Sequence, residues 1–117
     1  MMRSGMTPKQ RDILLIPIPF TDLQAIKRRP VLVLSNDNYN KMFDDIVVAA
    51  ITSNVQMKQY SVMIEASDIQ EGLLKQTSIV RADKIYTLNK QIILKRFGRL
   101  KAEKYTVVIN AIQKLIG

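Results

Sequence analysis

Apolar residues arrive in short runs along most of the chain and change period near its end. "DILLIPIPF", Asp12 to Phe20, is a β-rich run closed by Pro17 and Pro19, which cannot donate to a ladder and belong at an edge or strand end. "TDLQAIKRR" reads as a connecting loop, and "PVLVLS" as a second strand with Pro30 at its first position. "NDNYNK" is dense in turn formers. "DIVVAAITS", Asp45 to Ser53, is almost continuously apolar, which predicts a central strand covered on both faces. "QYSVMIE" alternates and fits a fourth strand, and "QTSIVRADKIYTL" supplies one or two more. Between them, "SDIQEGLLK" resembles a short turn capped by Ser67 with Gln70 three residues on.

The period then lengthens. In "NKQIILKRFG", Asn89 suits an N-cap, Ile92, Ile93 and Phe97 share a helical face, and Gly98 suits the position after a helix. Tyr105, Val108, Ile109, Ile112, Leu115 and Ile116 follow amphipathic helical spacing, with Lys101 and Lys104 toward the polar side. Five or six strands followed by helices, without βαβ alternation, predict an α+β domain: a small antiparallel barrel or sheet with a C-terminal helix. Residues 1–10 read as a disordered N-terminal extension, and 11–117 as one domain.

Composition narrows the chemistry. The chain has neither cysteine nor histidine, which removes thiolate sites, the commonest general base and the commonest transition-metal ligand. Neither a metal nor a cofactor is expected. No stretch approaches the roughly 20 apolar residues of a membrane span, and the polar start "MMRSGMTPKQR" does not read as a secretory signal. A cytoplasmic protein with no membrane partner is expected. The 18 Lys+Arg against 10 Asp+Glu give a net charge of +8, a footprint suited to phosphate-rich partners. Much of that charge is grouped, in Lys27-Arg28-Arg29 and between Lys84 and Lys104.

Candidate chemistry therefore falls to Arg, Lys, Asp, Ser and Thr. Arg29 stands at the entrance of the second strand, and Thr52, Ser53 and Asn54 close the third. If these strands are antiparallel neighbours, Arg29 and Thr52 converge on one rim, where a guanidinium fork and a hydroxyl could hold a phosphate. Arg81 and Asp83 are two apart, hence on one face of an extended chain. Each also has a plainer account: a solvated loop cation, a threonine bonding its own turn, and a surface ion pair worth roughly 0–1 kcal/mol.

The ordered set "DILLIPIPF", "RPVLVLS", "VVAAITS", "GLLKQTSIVRADKIYTL" and the closing helix resembles the MazF/PemK toxin family, from about Arg11 to Gly117. The resemblance implies an SH3-like antiparallel β-barrel with a C-terminal helix. It implies a homodimer and an endoribonuclease that cuts single-stranded RNA without metal, leaving 2′,3′-cyclic phosphate and 5′-hydroxyl ends. It also implies a cognate acidic antitoxin that covers the basic groove, in a complex that binds DNA. Carried over by position, Arg29 would contact the scissile phosphate beside Thr52, with Arg81 and Asp83 as the acid–base pair. Ser78 and Lys84 would line the RNA groove, and Lys27, Arg28 and Ser53 are further candidate RNA contacts. Arg11-Asp12 replaces a Gly-Asp opening usual in the family, Arg28 stands where a small residue is common, and the loop from Thr21 to Lys27 lacks glycine. The rival readings are a non-catalytic growth inhibitor resembling the gyrase poisons of the same scaffold, and a plain nucleic-acid-binding barrel. An acid within a basic groove favours the enzyme, since binding alone does not require one.

Overall fold

The structure is a computed structural model in which residues 7–19 and 26–117 are described. In chain order it contains β1 (Asp12–Pro19), β2 (Ile26–Val33), α1 (Asp37–Met42), β3 (Asp45–Thr52), β4 (Ser61–Ile64), β5 (Ile69–Gly72), β6 (Ser78–Asn89), β7 (Lys95–Leu100) and α2 (Ala102–Ile116). All the strands join one antiparallel seven-stranded sheet in the order β4-β6-β3-β2-β1-β7-β5. One core cluster unites Val62 and Ile64 of β4 with Ile13 of β1, Leu100 of β7 and Val108 of α2. Strands far apart in the order can share a core only if the sheet curls, so it forms a partly closed barrel beneath the helix. The expected α+β architecture is the one observed.

Both faces of the central strands are buried. Leu32, Ala49 and Ile51 face the α2 cluster, while Val31, Val33, Ile46 and Val48 join Leu14 and Ile16 in a second cluster on the opposite face. This is why "DIVVAAITS" shows no clear alternation of polarity. On α2, Val108 is buried and Tyr105 donates its hydroxyl to Leu34 O at 2.7 Å. Leu115 and Ile116 continue the apolar stripe but stand 41% and 78% exposed.

Several local expectations are corrected. β2 begins at Ile26, so Pro30 lies within the strand, opposite Leu15; pairing with β3 starts only at Val31, so the proline falls where β2 has one hydrogen-bonded neighbour. "NDNYNK" forms α1, because Asn36 caps it by accepting from Tyr39 N at 2.8 Å; good turn residues are also good caps. In "SDIQEGLLK" the cap is Asp68 on Glu65 N at 2.8 Å, around a short 3-10 turn, and β5 follows. The helix expected over Asn89–Gly98 is a 3-10 turn over Lys90–Ile92, capped by Asn89, followed by β7. Pairing with β1 and β5 outweighs the helical spacing of Ile92, Ile93 and Phe97. Gly98 is needed for close approach rather than helix termination: a Cβ there would stand 2.1 Å from Glu71 O, and one on Gly72 2.1 Å from Phe97 O.

Residues 1–6 of the expected extension lie outside the described residues, as do Phe20–Ala25, most of the glycine-free loop. The ordered body begins before Arg11. Gln10 N donates to Asp37 Oδ1 at 2.8 Å and Gln10 Nε2 to Leu34 O at 2.9 Å. Arg11 has φ 77, the left-handed region that favours glycine, where the resembled family has its Gly-Asp opening. The conformation is held by Arg11 Nη1 donating to Gln70 Oε1 at 2.9 Å and Leu100 O at 2.8 Å.

Much of the grouped basic charge is structural. Asp12, 2% exposed, accepts from Lys9 N at 2.8 Å and from the Nε of both Arg96 and Arg99 at 3.1 Å. Arg96 and Arg99 also reach Glu71 of β5 at 2.9 and 3.4 Å; first Arg96, then Arg99, hold that carboxyl below its ordinary range. Lys104 pairs with Asp68 at 3.7 Å, and Lys90 Nζ donates to Asn40 O at 2.6 Å. Replacing Asp12 by Ala leaves two guanidinium groups facing an emptied site and is expected to cost about 3–5 kcal/mol. Gly98→Ala forces backbone apart and is expected to cost about 2–4 kcal/mol. Urea unfolding checks both; a loss under about 0.5 kcal/mol, typical of unconstrained surface positions, would contradict either account.

Candidate active site

The β2–β3 ladder pairs Val31 with Ala50. Two residues further along, Arg29 comes level with Thr52, so the two converge on the rim as the sequence predicts. Ala50 is also paired with Arg81 of β6, and directly opposed residues share a face. Arg29, Thr52 and Arg81 therefore lie on one face, opposite the one α2 covers. All three line a cleft of about 290 Å³ with Lys84, Tyr86 and three residues of the loop after β3: Asn54, Gln56 and Lys58.

The way β6 reaches this cleft is not that of a plain extended chain. Its register against β3 jumps from Ile85↔Ala49 to Arg81↔Ala50, so Ala82, Asp83 and Lys84 form a bulge in β6 alone. The bulge is pinned from outside by Ala82 N donating to Tyr60 O at 2.9 Å, where Tyr60 itself holds φ 63. Within it Asp83 takes a two-pronged bond from Arg81, Nε to Oδ1 at 2.9 Å and Nη2 to Oδ2 at 2.8 Å. Arg81 holds the Asp83 carboxyl below its ordinary range against a smaller opposing effect of burial, and Asp83 in turn raises Arg81. The carboxylate is thus ionised and oriented at neutral pH. The remaining guanidinium hydrogens are left for a ligand.

Thr52 is pre-set by its own turn. Asn54 N donates to Thr52 Oγ1 at 3.1 Å, which fixes the hydroxyl oxygen and leaves its hydrogen available to donate. Both accounts of Thr52 therefore hold together: the turn bond orients the group that faces the cleft.

The other expected contacts divide. Arg28, Ser53 and Ser78 line a second cleft of about 480 Å³, with Lys75, Lys95, Arg96 and Phe97; it shares Arg29 and Ile51 with the first. Ser78 is 5% exposed and its hydroxyl donates to Gln76 O at 3.1 Å. Lys27 is exposed on β2 and lines neither cleft. Asn54 was named only as the end of the third strand, and Gln56, Lys58 and Tyr86 were not singled out by the sequence. The alternate polar positions after Thr52 were a usable signal for the first three. Tyr86 was hidden because it lies five positions beyond Arg81, an odd spacing that the bulge converts into a shared face. Among the described residues, no group of three or more acidic side chains is placed to hold a metal ion.

Residues 9–116 match the PemK-like, MazF-like toxins of type II toxin-antitoxin systems. The chain belongs to this family. It is 31% identical over 101 residues to Endoribonuclease MazF2 of Mycobacterium bovis, covering 84% of this chain and 86% of that protein. It is 30% identical over 89 residues to Endoribonuclease MazF of Staphylococcus saprophyticus, covering 76% of this chain and 73% of the relative. A solved endoribonuclease in complex with its cognate antitoxin, from Mycobacterial species, superposes with a TM-score of 0.78 at 21% identity, covering 94% of this chain and 95% of that one.

The electrostatics of the MazF-like site are directly measurable. A carboxyl depressed by its partner contributes stability above its unfolded pKa and loses it as pH falls through the folded value. Asp83 should therefore titrate below its ordinary 3.8 in a carbon-detected NMR titration. Arg81→Gln should move the midpoint upward, because burial then acts without its counterweight. A midpoint unmoved by the substitution would show that the pair does not form in solution.

Proposed function

We propose that this protein is a metal-independent endoribonuclease toxin that cuts single-stranded RNA, messenger RNA included, at the cleft lined by Arg29, Thr52 and Arg81, with Asp83 bound to Arg81. The observation that carries the reading is the convergence of two guanidinium groups and a free hydroxyl hydrogen on one cleft, with a carboxylate clamped beside them. The relatives named as MazF endoribonucleases support it.

In the proposed reaction the RNA 2′-oxygen attacks the adjacent phosphorus. The new O2′–P bond forms as the P–O5′ bond breaks, giving a 2′,3′-cyclic phosphate and a 5′-hydroxyl. Asp83 takes the 2′-hydroxyl proton; Arg29, Arg81 and Thr52 donate to the phosphorane oxygens; the departing 5′-oxygen takes a proton from water, because Asp83 holds Arg81 more firmly protonated than an ordinary guanidinium. A depressed pKa makes Asp83 a weaker base but keeps it deprotonated. Preorganised donors supply most of the acceleration, each worth about 10²–10³-fold. Lys84, Arg28 and Ser53 would guide the flanking strand, Lys27 would add long-range attraction, and Ser78 would shape the wall of the second cleft rather than donate.

The expected partners are a cognate acidic antitoxin over the basic clefts and a second copy of this chain, and the expected compartment is the cytoplasm. The solved relative in complex with its antitoxin supports the first. Exposed apolar side chains such as Met42, Leu73 and Ile116, at 75%, 68% and 78%, supply surface for association. Among the described residues no helix is long and apolar enough to cross a membrane.

Incubation of the pure protein with RNA in EDTA should give cyclic-phosphate ends, and Arg29→Ala should lower the rate by about 10²–10³-fold. Intact RNA, or equal cutting by the variant, would remove the enzyme reading. Growth arrest with intact RNA would instead favour a non-catalytic inhibitor.

A further inference from the structure

We propose that Tyr86 is the stacking platform of the cleft, holding the nucleobase next to the scissile phosphate and so acting as a positioning residue for the substrate. The inference rests on the RNA-cleaving reading of the site. Tyr86 pairs with Val48 and Arg81 with Ala50, two positions apart on β3. They therefore share a face and lie about 7 Å apart along the strand. That is the scale of one nucleotide, from its phosphate to its base.

The placement is chemically suited to a base. Tyr86 lines the cleft with Arg29, Thr52 and Arg81 and remains 39% exposed, within the exposed half of β6 that runs from Asp83 to Thr87. Other tyrosines are committed to the fold: Tyr39 packs its ring against Phe43 at 4.8 Å, and Tyr105 donates its hydroxyl to Leu34 O. The exposed part of the ring offers an aromatic face on the same cleft as two guanidinium groups. Every nucleobase presents a flat π-face, and single-stranded nucleic acids are held by such aromatic platforms together with cations along the backbone. Asn54 and Gln56, on the loop across the cleft, supply amide donors and acceptors for the edge of a base stacked on the ring. Arg81 at the phosphate and Tyr86 at the base would thus grip one nucleotide at both ends.

The test separates stacking from cleavage and from architecture. A 2′-O-methyl oligoadenylate cannot be cut, and an abasic strand of equal length carries the same phosphates without bases. The wild type should bind oligoadenylate about 10-fold or more tighter than the abasic strand. Tyr86→Ala and Tyr86→Leu should lose most of that difference with little change toward the abasic strand, while Tyr86→Phe should keep it. On cleavable RNA, Tyr86→Phe should retain kcat, and Tyr86→Leu should raise KM more than it lowers kcat. Equal weakening toward both strands, no base-dependent binding by the wild type, or loss of kcat in Tyr86→Phe would overturn the proposal. A wild type that binds bases in this way yet cuts no RNA would overturn the enzyme reading and leave the platform standing.

Discussion

β6 carries three more residues than β3 can pair, and the candidate cleft is the consequence. Had the ladder run without interruption, residues 82–84 would have faced β3 one by one. Asp83 and Lys84 would then have been fixed on alternating faces of the sheet. The surplus is instead gathered in one bulge, fastened on its outer side to Tyr60 O. That single irregularity turns the carboxylate of Asp83 back onto Arg81, and sends Lys84 and Tyr86 into the cleft that Arg29 and Thr52 border. Bulges frequently re-aim side chains at functional rims. Here the same bulge also ends the contribution of β4, whose pairing with β6 covers only Ser61–Ile64.

The basic surplus of the chain has two separate duties. Arg96 and Arg99 bind the buried Asp12 and the exposed Glu71, and so fasten β7 to β1 on one side and β5 on the other. Gly72 and Gly98 let those strands approach closely enough for the charges to meet. Arg29, Arg81 and Lys84 face the cleft instead. Net charge alone does not distinguish these roles, because Arg96 and Arg29 read identically until the carboxylate partners of Arg96 are located. Asp12 is the discriminating residue: buried and acidic, it recruits the cations that the fold consumes.

The sheet, its helix and the rim of the site were legible because they rest on periodicity and antiparallel register. Alternation and apolar runs identify β1, β3, β4 and β6, and antiparallel adjacency of β2 and β3, once granted, is enough to bring Arg29 beside Thr52. What was not legible depends on contacts distant in sequence. β7 looked helical because Ile92, Ile93 and Phe97 fit either period, and only pairing with β1 and β5 decides between them. Asn36 read as a turn residue because capping and turning use the same side-chain oxygen. Arg81 and Asp83 were paired correctly by an argument from plain extended geometry, although a bulge actually joins them. The same argument, applied to Tyr86, would give the wrong face.

The clamp between Arg81 and Asp83 pushes the arginine's titration upward and the aspartate's downward, each away from neutrality. The chain has no histidine to change charge near pH 7 and no cysteine to be oxidised. Such a site is chemically deaf to the acidity and redox state of its surroundings: its protonation is the same in a starved cell and a growing one. A molecule that covers the cleft would restrain such a site without titrating any group in it, and the restraint would last as long as that molecule does.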